Sequence, residues 1–490
     1  MKLSKLIDSL PDYRLSMPLE DFEVKGISCN SKDVGDNFVF VAIKGTTQDG
    51  HNFIPEAVFK GAKAIVIQGW QEHFCDIKSK TQFIEVRDTH LALARLAAKF
   101  YDNPSQKIKV IGITGTNGKT TISYLIEAFL KKAGLNVGVI GTINYRFKDT
   151  VLPSRNTTPG PLEIQSLLNE MLRQDTDYVI MEVSSHALDQ QRTEGISFYS
   201  GIFSNLTHDH LDYHSTMEDY FQAKAKLFLD LAPNTLAVIN NDDTYGRRLK
   251  ALTKAQIVTY GIDNPADVMA EGVYFDITHT EFLVRIPGRK VNLKTQLIGE
   301  YNIYNILASL SWALKEGLEL DLLKSALEKF DCIPGRLERV NTDRNRDFSV
   351  FIDYAHTEDA LRNVIMTLRK LPHNKILVVF GCGGERDKTK RPKMGQVVSE
   401  LADYAIITND NPRSENPLDI IEDIKRGIRK NNYSVIPDRL EAIRRVLSIS
   451  RKGDIILIAG KGHENYQILK EGRIHFEDRE VVQECLRSMI

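Results

Sequence analysis

The sequence predicts an α/β protein of three domains: a small mixed α/β N-terminal unit, a central parallel sheet with helices, and a C-terminal Rossmann-like unit. Three observations carry this prediction. The chain has 490 residues, and at roughly 150 residues per domain that length suits about three cores. Beyond residue 105, apolar runs of strand length alternate with helical patterns, as in parallel α/β layers. Each such run leads directly into a glycine-rich, charged or polar stretch, and in parallel sheets ligands gather outside the carboxyl ends of the strands.

Residues 1–105 form the first block. "NFVFVAIKG" and "AKAIVIQ" read as strands among turn residues, and "THLALARLAAKFYDNP" reads as a helix that Asn103-Pro104 stops. Block 106–332 opens with the strand "KIKVIGITG". Ile122, Leu125, Ile126, Phe129 and Leu130 then recur at helical spacing and make one apolar face, and Gly134 ends that helix before the strand "NVGVIGT". "DYVIMEVSS" is a strand ending in Glu182, while "MEDYFQAKAKLF" and "GEYNIYNILA" read as helices. Block 333–490 begins around "IPGR" and repeats the alternation through "DFSVFIDYAHT", "NKILVVFGCGG", "DYAIITNDNP" and "DIILIAGKG".

Hydrophobic residues at 42% and charged residues at 26% are the proportions of a soluble globular chain. With 64 basic against 65 acidic side chains, no global field would hold a polyanion, so no nucleic-acid partner is expected and any anion site must be local. "MKLSKLIDSLPDYRL" carries charges throughout, unlike a signal peptide, and no apolar run approaches membrane-spanning length. The five cysteines, Cys29, Cys75, Cys332, Cys382 and Cys485, are odd in number and scattered, so they read as reduced thiols of a cytoplasmic protein.

"IGITGTNGKTT", residues 111–121, carries the sharpest local chemistry. The usual phosphate-loop spacing would require glycine at Ile113, whereas Gly112 and Gly115 flank that position. The strand–loop–helix setting nevertheless suits a phosphate cradle of shifted spacing. Gly115 and Gly118 would let backbone N–H groups close on phosphate oxygens at a helix N-terminus. Lys119 would reach the β- and γ-phosphates, and the Thr120 hydroxyl would meet Mg²⁺. Glu182, at a strand end, is placed for a second magnesium contact, against the plainer reading of a solvated carboxylate. "THDHLDYH" packs three histidines and two aspartates into seven residues; without cysteines or a zinc-type helix it reads as lining for hydrated magnesium. Lys224, on the helix "MEDYFQAKAKLF", reads from physics alone as a surface charge.

Gly115-Thr116-Asn117-Gly118-Lys119-Thr120-Thr121 resembles the ATP loop of the Mur ligases and their folylpolyglutamate synthetase relatives. The resemblance implies a central domain of the phosphate-loop ATPase type, using ATP and Mg²⁺. It further implies a metal set of Thr120, Glu182, His210 and Lys224, the last as a carbamate, with Lys119, His210 and Lys224 as catalytic groups. Asn305 would contact adenine, Arg336 would reach the phosphates from the domain junction, and Asp353 would bind ribose.

Two further stretches bear on what receives the phosphoryl group. "DNPR", at a strand end, presents an arginine fork of the kind that pairs with a carboxylate through two hydrogen bonds, and in "GKGHENYQ" Glu464 could receive an ammonium. Together they suggest a site for an amino acid with an extra carboxylate. Carried over from the family, Arg386, Asp410, Asn411, Pro412, Arg413, Gly460 and Glu464 would hold meso-diaminopimelate in the C-terminal domain. A UDP-N-acetylmuramoyl dipeptide would be held by Ser31, Thr46, Thr47, Gln48, Asn156, Thr157, Thr158, Ser184, Gln190 and Arg192. "CNSKD" departs from the family's Asp-Ser-Arg, with Asn30 and Lys32 in place of the charged pair.

The expected activity is an ATP-dependent amide ligation through an acyl phosphate, by a monomer working on small-molecule substrates. Lysine-adding and folate-extending members of the family are rivals within the class. A phosphate-loop GTPase is the rival outside it, but no Asn-Lys-x-Asp motif occurs, "NKIL" at Asn374 being the nearest approach.

Overall fold

The structure, a computed structural model, describes residues 1–45, 48–69, 81–211, 213–340 and 348–488. Among these, three sheets follow one another along the chain. The first has the order Tyr13–Leu15, Gln82–Val86, Ala62–Ile67, Phe38–Val41, Gly26–Ser28, antiparallel only at the Tyr13–Leu15 edge. Helix Thr89–Phe100 covers it, starting where the Asp88 carboxylate accepts the N–H groups of His90 and Leu91. The chain turns left-handed at Asn103, with φ of 50°, just before Pro104.

The central sheet has eleven strands. From Val268–Phe275 through Gln256–Gly261, Leu236–Asn240, Phe198–Phe203, Lys109–Thr114 and Tyr178–Glu182 to Val137–Ile140, neighbours run parallel. Antiparallel strands then extend both edges: Thr280–Ile286 and Arg289–Thr295 on one side, Asn144–Phe147 and Thr150–Pro153 on the other. These additions extend the expected parallel layer with antiparallel edges that the sequence reading did not place. Burial alternates along Thr280–Ile286 and Asn144–Phe147, as in one-sided sheets, and the hairpins close on Pro287-Gly288 and Lys148-Asp149. Helix Lys119–Lys132 turns the predicted face inward: Ile122, Leu125, Ile126, Phe129 and Leu130 are fully buried, each burial worth about 1.5–3 kcal/mol.

Strand Lys109–Thr114 lies between Tyr178–Glu182 and Phe198–Phe203. The loop leaving its carboxyl end therefore emerges beside Glu182 and beside Ser204-Asn205. Register alone brings these three sequence-distant stretches together.

The third sheet runs Glu338–Val340, Ser349–Asp353, Ile455–Ala459, Ile376–Phe380, Tyr404–Ile407, Tyr433–Val435, antiparallel only at its first strand. Arg439 and Asp478, both fully buried, form a two-pronged pair at 2.7 Å, and the guanidinium also donates to the carbonyls of Asn409 and Ala459. This pair ties together the strand ends from which "DNPR" and "GKGHE" emerge.

Cys29, Cys332, Cys382 and Cys485 are free thiols, and Cys75 lies outside the described residues. No helix among the described residues is long and apolar enough to cross a membrane.

Removing one partner of a buried pair strands the other charge. Asp478→Ala should therefore destabilise the third sheet by about 3–5 kcal/mol. Native-state hydrogen exchange of the strands Tyr404–Ile407 and Ile455–Ala459 reads this directly; unchanged protection there would show that the pair does not brace them.

Candidate active site

Gly115 and Gly118 adopt φ of 146° and 91°, where L side chains are strained. A Cβ on Gly115 would stand 1.9 Å from Ser204 Oγ, and one on Gly118 2.3 Å from Asn305 Oδ1. The loop is stitched to the neighbouring strand end: Thr116 N–H donates to Asn205 O at 2.8 Å, and Asn117 N–H to Asn205 Oδ1 at 3.0 Å. Thr120 and Thr121 are buried in the first turn of the helix that follows.

Two lysines converge on this loop. Lys119 Nζ donates to the carbonyls of Gly115 and Thr116, each at 2.8 Å, and Lys224 Nζ donates to the same Gly115 carbonyl at 2.9 Å. Reading Lys224 as a surface charge was therefore wrong: it is 1% exposed. Tyr220 and Phe228, four residues to either side, define the buried stripe of helix Met217–Leu229 on which Lys224 falls, whereas Lys226 points to solvent with Asp189. Burial pushes the ammonium of Lys224 well below the usual lysine range, and the charge of Lys119 pushes it further, against the pull of Asp209. Lys119 is lowered by burial too, with Glu182 and Asp209 opposing.

Glu182, 1% exposed, is the meeting point of the site. Its carboxylate accepts from Thr120 Oγ1 at 2.9 Å, Thr142 N–H at 3.1 Å and Thr142 Oγ1 at 2.8 Å. A buried carboxylate met only by neutral donors, beside a hydroxyl, is a hard-oxygen set that suits Mg²⁺ with water and phosphate as its further ligands. His210 and Lys224 meet around Tyr220, whose ring lies 6.0 Å from the imidazole and 4.8 Å from Nζ. Among the described residues, no three His, Cys, Asp or Glu side chains form a ready-made metal centre; Asp212 of "THDHLDYH" lies outside them.

The expected sugar-peptide residues of the central domain join the same knot. Thr157 Oγ1 lies 3.1 Å from Thr142 Oγ1, and Thr158 Oγ1 donates to the Glu182 carbonyl at 2.8 Å. Ser184 N–H donates to Thr158 Oγ1, and the Ser184 hydroxyl caps helix Ser185–Asp189. Arg192 donates to Thr158 O at 3.0 Å and to Gln190 Oε1, while Asn156 O accepts from Tyr145. Ser31 and Gln48 belong instead to the first sheet's domain. There Ser31 Oγ donates to Glu56 at 2.6 Å, and Gln48 O closes a turn with Gly45 N–H. Asn30 caps the short helix Ser31–Asp33 through Lys32 N–H. Thr46 and Thr47 lie outside the described residues.

A cavity of about 840 Å³ opens between the second and third sheets' domains. Arg386, Asp410, Asn411, Arg413, Gly460 and Glu464 line one side, and Asp209 and His210 the other. Pro412 turns its carbonyl against Gly384, where a Cβ would come within 1.9 Å of it. Gly460, with φ of 115°, lets Asp410 approach: a Cβ there would stand 2.6 Å from Asp410 Oδ2. Arg413 is itself left-handed, with φ of 55°, and its Nη1 donates to Gly384 O at 2.7 Å and Asn411 O at 3.3 Å. The Nε–Nη2 edge of its fork remains for a ligand. Asn411 Nδ2 donates to Glu464 Oε2 at 2.8 Å, and burial pushes the Glu464 carboxyl up.

Across the junction, Arg336 Nη2 stands 3.4 Å from Thr120 Oγ1, with its guanidinium over the Tyr354 ring at 4.8 Å. Asp353, buried at a strand end, accepts from Leu337 N–H at 2.6 Å and Ala355 N–H at 2.8 Å, and burial raises its carboxyl. Asn305, 5% exposed, is oriented by Asn302 at 3.2 Å.

Sequence reasoning missed Asp359, whose Oδ2 accepts from Thr207 Oγ1 at 3.1 Å and Asn117 Nδ2 at 3.4 Å. In "HTEDA" it reads only as a first-turn acid after the Thr357 cap, so no local signal marks its reach to the phosphate loop. Thr142 and Lys461 were also passed over; the only sign of either was its place just after a strand.

Comparison with known proteins accounts for this assembly over the whole chain. Three family models match: "Mur ligase family, catalytic domain" over residues 23–101, "Mur ligase middle domain" over 113–313 and "Mur ligase, glutamate ligase domain" over 335–462. UDP-N-acetylmuramoyl-L-alanyl-D-glutamate–2,6-diaminopimelate ligase 1 of Clostridium acetobutylicum is 43% identical over 491 residues, covering 100% of both chains. A solved 2,6-diaminopimelate ligase of the same description superposes with TM-score 0.69 at 30% identity over 99% of both chains. The MurF ligase from Thermotoga maritima, solved in complex with ADP, shares the fold with TM-score 0.63 at 20% identity, covering 95% of this chain and 99% of its own. With matches spread over all three sheets and a full-length relative at 43% identity, the chain belongs to the Mur ligase family.

Proposed function

We propose that this protein is an ATP-dependent amide ligase of peptidoglycan precursor synthesis that joins meso-diaminopimelate to UDP-N-acetylmuramoyl-L-alanyl-D-glutamate. The observation that carries the reading is the single cavity in which Arg386, Arg413 and Glu464 face Asp209 and His210 beside the phosphate loop. It pairs two cations and an acid, the complement of a zwitterionic side chain, with the place where phosphate chemistry would occur. Relatives named for this activity at 40–44% identity support it.

Residues 1–105 would carry the uridine end of the substrate, 106–332 the nucleotide and 333–490 the incoming amino acid. The γ-carboxylate of the D-glutamyl end attacks the γ-phosphorus of ATP and ADP leaves. The free amine of diaminopimelate then attacks the acyl phosphate carbon, and the tetrahedral intermediate expels phosphate as the nitrogen loses its proton. Lys119 and Arg336 offset charge on the transferring group, and the loop amides hold it in line. Mg²⁺, held by Thr120, Glu182, His210 and Lys224 as its carbamate, would supply further charge neutralisation. Arg413 would grip the distal carboxylate through its Nε–Nη2 edge, with Arg386 beside it, Glu464 and Asp410 receiving the ammonium and Asn411 orienting Glu464. Thr157, Thr158, Ser184, Gln190 and Arg192 would hold the muramoyl peptide, and the bonds of Thr157 to Thr142 and of Thr158 to Glu182 support a place for its carboxylate near the phosphate loop. The reaction is assigned to a cytoplasmic monomer.

Carbamylation follows from the state of Lys224. Burial and the charge of Lys119 favour the neutral form of the Lys224 amine, and it is the neutral amine that adds CO₂ and releases a proton. The resulting anion would relieve the repulsion from Lys119. With ¹³C-bicarbonate, the protein should show one carbamate resonance that Lys224→Met abolishes; its persistence in the variant would assign the modification elsewhere.

The activity itself is tested by ADP release with both substrates present. Lys119→Ala should lower turnover by at least about 10²-fold. Arg413→Ala should raise KM for diaminopimelate by about 10–100-fold with little change in KM for ATP. Lysine should substitute poorly. No ADP release by the intact protein, or equal use of lysine, would refute the assignment.

A further inference from the structure

Behind the wall that receives the amino acid lies a fully buried cation that the proposed chemistry does not use. Lys461, at the end of strand Ile455–Ala459, has a side chain with no exposure, yet it is not part of the apolar core. Its Nζ stands 3.1 Å from Glu464 Oε2 and 3.4 Å from Asn411 Oδ1. The Asn411 amide cannot flip to compensate, because Oδ1 accepts Ile468 N–H at 2.9 Å, which fixes Nδ2 on Glu464 Oε2. Both bonds to Glu464 thus fall on the same oxygen, leaving Oε1 as the acceptor for a ligand in the cavity that Glu464 lines.

We propose that Lys461 is a positioning residue: it keeps the Glu464 carboxylate ionised and its second oxygen turned to the cavity, and so sets the affinity for the ammonium of the incoming amino acid. The inference rests on the amino-acid-binding reading of this cavity. The electrostatics around Glu464 support it. Burial is the largest influence and raises the carboxyl, Asp410 raises it further, and Lys461 with Asn411 opposes both. The other groups that feel the carboxylate are Tyr466 of the hairpin, Tyr354 after strand Ser349–Asp353, and Arg439, whose charge is committed to Asp478. Of the neighbouring cations, Lys461 alone touches Glu464.

The sign of the effect follows. Without Lys461 the Glu464 proton would be held to higher pH, so at a given pH less of the carboxyl would be ionised and the ammonium would be held less firmly. Raising the pH would restore ionisation and affinity. The test is steady-state ADP release by the full chain, wild type against Lys461→Met and Lys461→Gln, between about pH 6.5 and 9. Both variants should raise KM for diaminopimelate by about tenfold or more at pH 7, with a deficit that shrinks toward pH 9. KM for ATP and turnover at saturation should stay within about threefold. Added to Glu464→Gln, Lys461→Met should cost little more. A deficit constant across pH, a loss spread equally over turnover and all substrates, wild-type kinetics, or failure of both variants to fold would each overturn the proposal. A wild-type protein that releases no ADP would instead refute the ligase assignment.

Discussion

Two lysine side chains donating to one backbone carbonyl is the constraint around which this molecule is built. Lys119 and Lys224 both reach Gly115 O, at 2.8 and 2.9 Å, from different helices, Lys224 fully buried and Lys119 partly so. Each buried charge costs several kcal/mol, and the two repel one another. Only Asp209 and, for Lys119, Glu182 counter this at a distance. Such a site is uncomfortable until an anion enters it or one lysine becomes an anion. Stability has been given up here for the capacity to hold phosphate charge.

The fold makes that arrangement possible through strand order. Because Lys109–Thr114 is central and parallel to both neighbours, its loop meets Glu182 on one side and Ser204-Asn205 on the other. Glu182 then couples two sets of residues. One carboxylate oxygen takes the Thr120 hydroxyl of the nucleotide loop, both take Thr142, and the Glu182 carbonyl takes Thr158. Any displacement of the nucleotide loop is thereby transmitted over two hydrogen bonds to the residues assigned to the sugar peptide. For a reaction in which one substrate's carboxylate must attack the other's phosphorus, this linkage matters more than the strength of any single contact.

Much of this was legible in the sequence, for identifiable reasons. Strands and helices of the parallel layers announce themselves by apolar runs and by the 122/125/126/129/130 spacing, and the loop by its lysine and glycines at a strand–helix junction. The antiparallel edges were lost because short one-sided strands such as "TEFLVRIPGRKVNLKT" lack the continuous apolar signal of buried ones. Lys224 was misread because its charge outweighed its position. The 220/224/228 spacing with two aromatic residues placed it on the buried face, and that signal was available. Asp359 had none, since its function in the site exists only once two domains meet. The residues proposed for diaminopimelate were singled out by resemblance and arginine chemistry together; composition alone would have left them as a charged loop.

The domain junction is where the remaining physics lies. Arg336 leans on Tyr354 of the third domain while reaching Thr120 of the second, and Asp359 returns the connection to Asn117 and Thr207. Apolar residues reinforce it: Ile298 belongs to the third domain's core cluster, and Phe275, Ile277 and Tyr301 pack against it from the second domain. Three of the polar bridges lie at the site, while the Lys370–Glu300 ion pair at 2.8 Å and the apolar contacts lie beside it, so a hinge on that side would open the cavity by breaking those three hydrogen bonds. Those bonds, at 3.1–3.4 Å, are weak enough to exchange for ligand contacts. The acyl phosphate of the proposed reaction would be destroyed by water, so the amine must reach it before water does. Closure over weak, replaceable bonds satisfies both demands, because the assembled site is stabilised mainly by what it encloses.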